Sequence, residues 1–331
     1  MVQLKVLVPY SNALANAIQQ ILGDEATVVT SERTAKSMLE NAIDADVVAS
    51  GRVPGDFIYN AHNLKMIQSL GAGIDKIDRQ AVLDRGDIIV CNNPVNAPEV
   101  AEYAIMLLLS AAKHIITSDK TLRKGDWTYG WGGPNPNVEL RNKTCLIIGL
   151  GNIGSEIAKR LKGFDLTLKA VSRTGTSPNS QLVDGVTSLE KMKPFVQGAD
   201  FIILSLPLTD KSKGMINEEV LSWMKSTTIL VNISRGEIVD ETALFHALKE
   251  KRILGAALDV WWSYPPFGKI ETKLPSSCFP YHNLDNLVLS PHRAAYSLNT
   301  EKAHVKYTGE NILRFIRGEK PHHVVDMALG Y

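Results

Sequence analysis

The chain has 331 residues, 44% of them apolar and 21% charged, the balance of an ordinary globular protein with room for about two domains. Lys and Arg number 36 against 35 Asp and Glu, so the formal net charge of +1 gives neither nucleic acid nor an anionic membrane an electrostatic reason to bind. The three cysteines, Cys91, Cys145 and Cys278, are far apart and form no CxxC, which argues against a disulfide framework or a cysteine zinc site and predicts a reducing, cytoplasmic setting.

The opening run Met1-Val-Gln-Leu-Lys-Val-Leu-Val-Pro9 is too short for a signal peptide and breaks at Pro9. Strands are predicted at Lys5-Val-Leu-Val-Pro9, Ala26-Thr-Val-Val-Thr30, Ala45-Asp-Val-Val-Ala49, Met66-Ile-Gln-Ser-Leu70 and Ile88-Ile-Val-Cys91. Ser11 and Ser31 are the expected caps of the helices after the first two. Strands separated by helix-length segments imply a parallel sheet with right-handed crossovers. Asn92-Asn-Pro-Val-Asn-Ala-Pro98 interrupts that rhythm, and Pro98 is predicted to start an apolar helix reaching about Ile116, with Glu99 and Glu102 at its positive end. Its greasiest part, 104–112, is about half a membrane span and lies between Glu102 and Lys113, so no membrane partner is expected.

Residues 124–136, rich in Gly, Trp and Pro, predict a long loop. A second βα series runs from Thr144 to about Ser290, and Pro291 to Ala295 is a second junction. Residues 301–317 predict an amphipathic helix with Val305, Ile312, Leu313 and Ile316 inward, packing back on the first domain. The expected domains are therefore 1–97 with 296–331, discontinuous, and 98–295.

Within the second series, the buried run Thr144-Cys-Leu-Ile-Ile148 leads at once into Gly149-Leu-Gly151-Asn152-Ile153-Gly154 and then a helix, Ser155-Glu-Ile-Ala-Lys-Arg-Leu161. Strand, glycines and helix in that order form a dinucleotide-binding turn. Gly149 permits the tight turn, Gly151 lets backbone approach a pyrophosphate, and Gly154 lets helix and strand pack closely. The helix N-terminus offers unpaired N–H groups to the anion. A carboxylate that takes the ribose hydroxyls of NAD usually ends the next strand. Here Leu166-Thr-Leu-Lys-Ala-Val171 ends in Ser172-Arg173-Thr174. With no acid to repel a 2′-phosphate, and with a guanidinium and two hydroxyls to bind one, NADP(H) is favoured over NAD(H). The alternative is that Arg173 stacks on adenine and permits both.

At this point the chain resembles the D-isomer-specific 2-hydroxyacid dehydrogenase family. The resemblance rests on Ser69-Leu-Gly-Ala-Gly-Ile-Asp75, Val100-Ala-Glu102, Arg123-Lys-Gly-Asp-Trp127 and the turn from Gly149 to Gly154. It continues through Leu204-Ser-Leu-Pro-Leu-Thr209, Val231-Asn-Ile-Ser-Arg-Gly236, Leu258-Asp-Val260 and Ser290-Pro-His292. It implies an α/β fold of two doubly wound parallel-sheet domains, a Rossmann dinucleotide-binding domain inserted in a flavodoxin-like substrate domain. It implies further that Arg235 binds the substrate carboxylate and keto oxygen, that His292 is the acid/base, and that Asp259 sits by the nicotinamide carboxamide. The loop Leu70-Gly71-Ala72-Gly73 would present N–H groups to the carboxylate, and Ile153, Pro207 and Ile233 would line the cofactor. A homodimer paired through 100–141 is implied as well. The chemistry agrees, because reducing a 2-oxo acid needs a fixed cation and a proton donor facing an oxygen on which charge builds. Asp259 could equally cap a turn.

One departure matters. The family normally places a Glu five residues after the Asp259 position, paired with the histidine. Here the sequence reads Asp259-Val-Trp-Trp-Ser-Tyr264-Pro-Pro, with no Glu until Glu271. Either another acid pairs with His292, or His292 works with a lower pKa, or the reaction is lost. The adjacent Trp261 and Trp262 are expected to be packing residues, although they could reshape the site. The function read from the sequence is NAD(P)H-dependent reduction of a small 2-oxo acid, glyoxylate or hydroxypyruvate, with a dinucleotide-sensing corepressor-like scaffold as the alternative.

Overall fold

The computed structural model describes residues 3–265 and 277–331. The chain forms two compact units, one of Met1–Asn96 with Tyr296–Tyr331 and one of Ala97–Ala295. The first unit runs β1 (Leu4–Val8), α1 (Asn12–Leu22), β2 (Ala26–Thr30), α2 (Ala35–Ala42), β3 (Val47–Ala49), β4 (Arg52–Val53), α3 (Gly55–Asn60), β5 (Met66–Gln68), β6 (Lys76–Ile77), α4 (Arg79–Arg85) and β7 (Ile89–Cys91). Five of these strands make one parallel sheet in the order β2-β1-β3-β5-β7. Counted by its own strands this is 2-1-3-4-5, the flavodoxin-like doubly wound order. β4 and β6 pair separately, Arg52 opposite Lys76. Val6, Leu7, Val8, Val47, Val48 and Ala49 are fully buried, as strands covered on both faces must be.

Ser11 caps α1 as expected, accepting from the Leu14 N–H at 3.4 Å. α2 is capped by Thr34 rather than Ser31: Thr34 accepts from the Ser37 N–H at 3.2 Å, while the Ser31 hydroxyl donates to the Glu32 carbonyl. Several neighbouring hydroxyls can each cap, and the register of the helix on its core chooses among them.

The second unit begins with α5 (Ala97–Ala112) and α6 (Ile115–Leu122). The sequence predicted one helix here. Instead the Val138 N–H takes the Ala112 carbonyl at 2.9 Å, the acceptor that a continuing helix would need, and His114 turns left-handed at φ 49°. The two helix axes differ by 63°. Among the described residues no single helix is long and apolar enough to cross a membrane. There follow β8 (Thr144–Ile148), α7 (Asn152–Leu161), β9 (Thr167–Ser172), β10 (Gly185–Ser188), α8 (Lys193–Gly198), β11 (Phe201–Leu204), α9 (Glu218–Trp223), β12 (Ile229–Asn232), α10 (Glu241–Lys249), β13 (Gly255–Leu258) and β14 (Leu287–Leu289).

These strands form a parallel sheet ordered β10-β9-β8-β11-β12-β13-β14, or 3-2-1-4-5-6-7 by its own count. That is the Rossmann order with one further strand. Alternate residues supply opposite faces. Leu146, Ile148, Leu204, Leu230 and Leu258 enter one core, and Cys145, Ile147, Ile203, Val231 and Ala257 enter the other. The chain then returns to the first unit as α11 (Thr300–Ile316), which packs along α1. Ile312 is fully buried there, with Val305, Leu313 and Ile316 against the same core. A side chain at Gly309 would place a Cβ 2.7 Å from Ile21, so the two helices touch backbone to side chain.

Candidate active site

The sheet register of the second unit sets the site. Ile148, Leu204, Asn232, Leu258 and Leu289 stand in one row across five neighbouring strands. The next residues, Gly149, Ser205, Ile233, Asp259 and Ser290, therefore leave the sheet at one level, at the carboxyl ends of the strands. An open α/β sheet binds its ligands at that edge, beside the point where strand order reverses, here between β8 and β11.

At the reversal Gly149 has φ 102°, and a Cβ on it would lie 2.5 Å from the Ser205 carbonyl oxygen. The Ser205 hydroxyl donates to the Gly149 carbonyl at 2.7 Å and ties the two strand ends together. A Cβ on Gly154 would lie 2.0 Å from the Gly149 oxygen, which is the close helix–strand packing read from the sequence. A Cβ on Gly151 would meet nothing within 4 Å. Gly151 is also the N-cap of α7, with no side-chain cap and no acid in the first turn. Open space before uncapped N–H groups fits a dinucleotide pyrophosphate. Asn152 is exposed beside it, Ile153 is half-buried, Pro207 is exposed, and Ile233 is buried among the core residues.

At the end of β9 the Ser172 hydroxyl donates to the Thr176 carbonyl at 2.8 Å, and the Thr174 and Thr176 hydroxyls are 3.0 Å apart. Ser172 is half-buried, and Arg173 and Thr174 are exposed. The three form a polar lip with no carboxylate among them, although the Ser172 proton is engaged within the loop.

The ends of β12, β13 and β14 bring four of the expected residues together. Arg235 follows β12 in extended conformation and precedes a short 3-10 turn, Gly236–Ile238. Asn232 fixes this corner by donating to the Arg235 carbonyl at 2.9 Å and accepting from the Ser234 N–H at 3.0 Å. A Cβ on Gly236 would lie 2.3 Å from the Trp261 carbonyl carbon, so only glycine lets the Arg235 corner lie against the segment that carries Tyr264. The Tyr264 and His292 rings are 5.3 Å apart and tilted by 45°. The Tyr264 oxygen accepts from the Trp261 N–H at 3.0 Å. Partial burial raises the phenol above its ordinary pKa, and the Asp259 and Glu237 charges push the same way, while the Trp261 N–H and the Arg235 cation oppose them. Tyr264 is thus a neutral neighbour of His292 at physiological pH. Glu271 lies outside the described residues.

His292 itself has φ 55°, an uncommon left-handed position for a non-glycine residue. Asp259 is buried, and its carboxylate accepts from the Ser290 hydroxyl and from the Arg293 and Ala294 N–H groups. Three of the acceptor sites of the carboxylate thereby cap the turn that carries His292. Trp261 donates its indole N–H to the Ser290 carbonyl at 2.9 Å, and Trp262 donates to the Val239 carbonyl at 2.8 Å and stacks on Tyr281. Both tryptophans pack, as expected. Sequence reasoning gave no role to Tyr103, whose hydroxyl is 2.8 Å from that of Ser290, or to Glu237. Both are long-range partners that no local pattern marks.

Leu70, Gly71, Ala72 and Gly73 belong to the other unit. Their loop is held by the Ser69 hydroxyl, which accepts from the Gly71 N–H at 3.3 Å and donates to the Gly73 carbonyl at 3.0 Å. The Asn93 N–H donates to the Gly71 carbonyl at 3.0 Å and the Asn92 amide to the Ala72 carbonyl at 3.1 Å. With three successive carbonyls bonded inward, the loop is shaped by its own unit.

Comparison with known proteins decides the family. Residues 105–294 match the model of the D-isomer specific 2-hydroxyacid dehydrogenase NAD binding domain. The chain belongs to that family. Among its relatives, the glyoxylate reductase of Pyrococcus furiosus is 35% identical over 294 residues, 86% of this chain and 84% of the relative. The hydroxypyruvate reductase of Thermotoga maritima is 35% identical over 291 residues, 86% of this chain and 90% of that one. Among solved structures, the NADPH-dependent glyoxylate/hydroxypyruvate reductase of Sinorhizobium meliloti, in complex with NADP and malonate, aligns with a TM-score of 0.80 at 28% identity, covering 98% of this chain and 97% of that one. As a D-2-hydroxyacid dehydrogenase the protein is an NAD(P)-dependent oxidoreductase acting on 2-oxo or 2-hydroxy acids.

Proposed function

We propose that the protein reduces a small 2-oxo acid, glyoxylate or hydroxypyruvate, to the D-2-hydroxy acid, with NADPH preferred over NADH. The observation that carries this reading is the 5.3 Å approach of the Tyr264 and His292 rings on the same sheet edge as the Gly149 turn, with the corner after Arg235 packed against the segment that leads to Tyr264. When bound, the reduced nicotinamide supplies the hydride. Arg235, permanently charged and fork-shaped, orients the substrate by its carboxylate and keto oxygen and offsets the charge that builds on that oxygen. His292 delivers the proton to the oxygen and removes it in the reverse direction. Tyr264 receives the Trp261 N–H on its oxygen and so has its own proton to offer into the site.

The loop Leu70, Gly71, Ala72 and Gly73 presents backbone N–H groups of Leu70, Ala72 and Gly73 to the substrate carboxylate, while the Gly71 N–H is held by the Ser69 hydroxyl. The cofactor is held by Gly149, Gly151, Asn152, Ile153 and Gly154 at its pyrophosphate, by Ser172, Arg173 and Thr174 at a 2′-phosphate, and by Pro207 and Ile233 along its length. The preference for NADPH rests on the cation and the absent acid at the end of β9. A homodimer is favoured by large apolar side chains exposed on one stretch of chain, Ile115, Leu122, Trp127 and Trp131. A cytoplasmic setting is favoured by three cysteines that are all free.

The test is a steady-state comparison of NADPH and NADH across a panel of 2-oxo acids, followed by loss of nicotinamide absorbance, with the product's chirality determined. Turnover of short 2-oxo acids with NADPH supports the proposal. Tight cofactor binding with no turnover on any acid overturns it in favour of a dinucleotide-sensing scaffold.

A further inference from the structure

The sheet of the first unit holds a polar side chain where a strand covered on both faces calls for an apolar one. Gln68 ends β5 between Ala49 and Cys91 and is fully buried, as are Asn93 and Thr308, with Asn311 1% exposed. Buried amides are costly unless each finds its partners. These partners come from α11 and the segment after it, Asn311 standing 243 residues beyond Gln68. The Asn311 amide donates to Gln68 Oε1 at 2.6 Å and to the His322 carbonyl at 3.1 Å, and its Oδ1 accepts from the His322 N–H at 2.6 Å. Gln68 in turn donates to the Ser69 carbonyl at 2.8 Å and the Asn92 carbonyl at 3.3 Å. Exchanging oxygen and nitrogen in Asn311 would set like against like at all three of its contacts, so the network fits in one orientation. A second route leaves the same helix. Asn93 donates to the His304 carbonyl at 3.2 Å and the Thr308 hydroxyl at 3.3 Å, and the His323 carbonyl holds the Asn92 N–H at 3.1 Å. Both routes end on the loop from Leu70 to Gly73. The Asn93 N–H takes the Gly71 carbonyl, the Asn92 amide takes the Ala72 carbonyl, and Ser69, which follows Gln68 directly, holds Gly71 and Gly73 through its hydroxyl. A satisfied buried network rigidifies what it touches.

We propose that Asn311 and Asn93 are positioning residues for the 2-oxo acid: through Gln68 and Asn92 they make α11 hold the loop whose N–H groups receive the substrate carboxylate. This rests on the reading of that loop as the carboxylate site. A carboxylate is present in the bound substrate and in the transition state alike, so a loosened loop weakens both equally and shows in KM rather than in kcat. Asn311→Leu keeps the size of the side chain and strands the Gln68 oxygen, and Asn93→Ala breaks the second route. Ile312→Ala is the control. Ile312 is the next residue of α11 and fully buried, so its truncation lowers Tm through a cavity and leaves every amide contact in place.

The assay is glyoxylate reduction with whichever nicotinamide the native enzyme turns over. Asn311→Leu and Asn93→Ala are each expected to raise the glyoxylate KM about tenfold, with kcat within about threefold and the cofactor KM within about twofold, while Ile312→Ala keeps the native glyoxylate KM. An unchanged glyoxylate KM in both amide variants, a loss confined to kcat, or an equal rise in Ile312→Ala overturns the proposal. Should the amide variants fail to fold, Thr308→Val removes one acceptor of Asn93 at constant shape, and an unchanged KM there overturns it as well. If the native enzyme reduces no 2-oxo acid, it is the functional reading that fails. The network is then decided by deuterium uptake of the segment 68–74 in the full chain, which is faster in Asn311→Leu than in Ile312→Ala if the amides hold the loop and equal in the two if they do not.

Discussion

Replacing Tyr264 by glutamate restores a carboxylate at the place where the family normally pairs one with the histidine. The ring of Tyr264 is now 5.3 Å from that of His292. At that separation a negative charge stabilises an imidazolium by about 0.8 kcal/mol in a water-like medium and by about 3 kcal/mol near a protein surface, or about 0.6 to 2.3 pKa units. Tyr264 is 41% exposed, so the lower half of that range applies, and about one unit is expected. The sign follows from which form of His292 works. As the proposed proton donor, His292 serves reduction in its protonated form. A raised pKa keeps that form populated to higher pH, and the limb on which kcat/KM falls with rising pH moves upward. The assay is kcat/KM for glyoxylate reduction from pH 5.5 to 9.5, in native enzyme, Tyr264→Glu and the neutral control Tyr264→Gln. A profile that does not move in Tyr264→Glu refutes the argument that Tyr264 is the group facing His292 in the working site. Equal movement in Tyr264→Gln refutes the electrostatic origin.

The remaining predictions use the same enzyme. Arg235→Lys keeps the charge but loses the planar fork, and kcat/KM for the 2-oxo acid should fall by about a hundredfold or more, with cofactor binding by fluorescence unchanged. Arg173→Ala should raise the NADPH KM about tenfold and leave the NADH KM within about twofold, whereas parallel changes in both would make Arg173 an adenine-stacking residue. Gly154→Ala forces a Cβ to 2.0 Å from the Gly149 oxygen, and should cost about 1–3 kcal/mol, visible as a lower Tm together with weakened cofactor binding. Trp127→Ser with Trp131→Ser removes the most exposed apolar side chains of the second unit, and light scattering on the native and doubly substituted enzymes should change from dimer to monomer mass.

Much of the architecture is legible because it is local. Alternating β-rich and helical segments, a strand running into Gly149-Leu-Gly151-Asn-Ile-Gly154, and an amphipathic tail all declare themselves within a short window, and the two sheet orders are those that the family resemblance implies. The misreadings come from competition at a distance. Nothing in 108–116 warns that the Val138 N–H takes the Ala112 carbonyl and ends the helix. The four-residue strand Gly185–Ser188 is too polar to announce itself, and it forms because β9 offers it an edge. At the site, the residue types are legible and their wiring is not. Asp259 is picked out by resemblance, but its three donors stand more than thirty residues along the chain, where only the alignment of β13 with β14 brings them into reach.

The interrupted first unit has a consequence for biosynthesis. The helix that completes it, α11, closes on α1 with Gly309 against Ile21, so its hydrophobic layer stays open until the whole of the second unit has been synthesised. The unit inserted between the two halves has all of its strands by Leu289. The nascent chain therefore meets an inverted timetable: the segment made before the second unit matures after it, and waits with an apolar helix face uncovered while its successor folds.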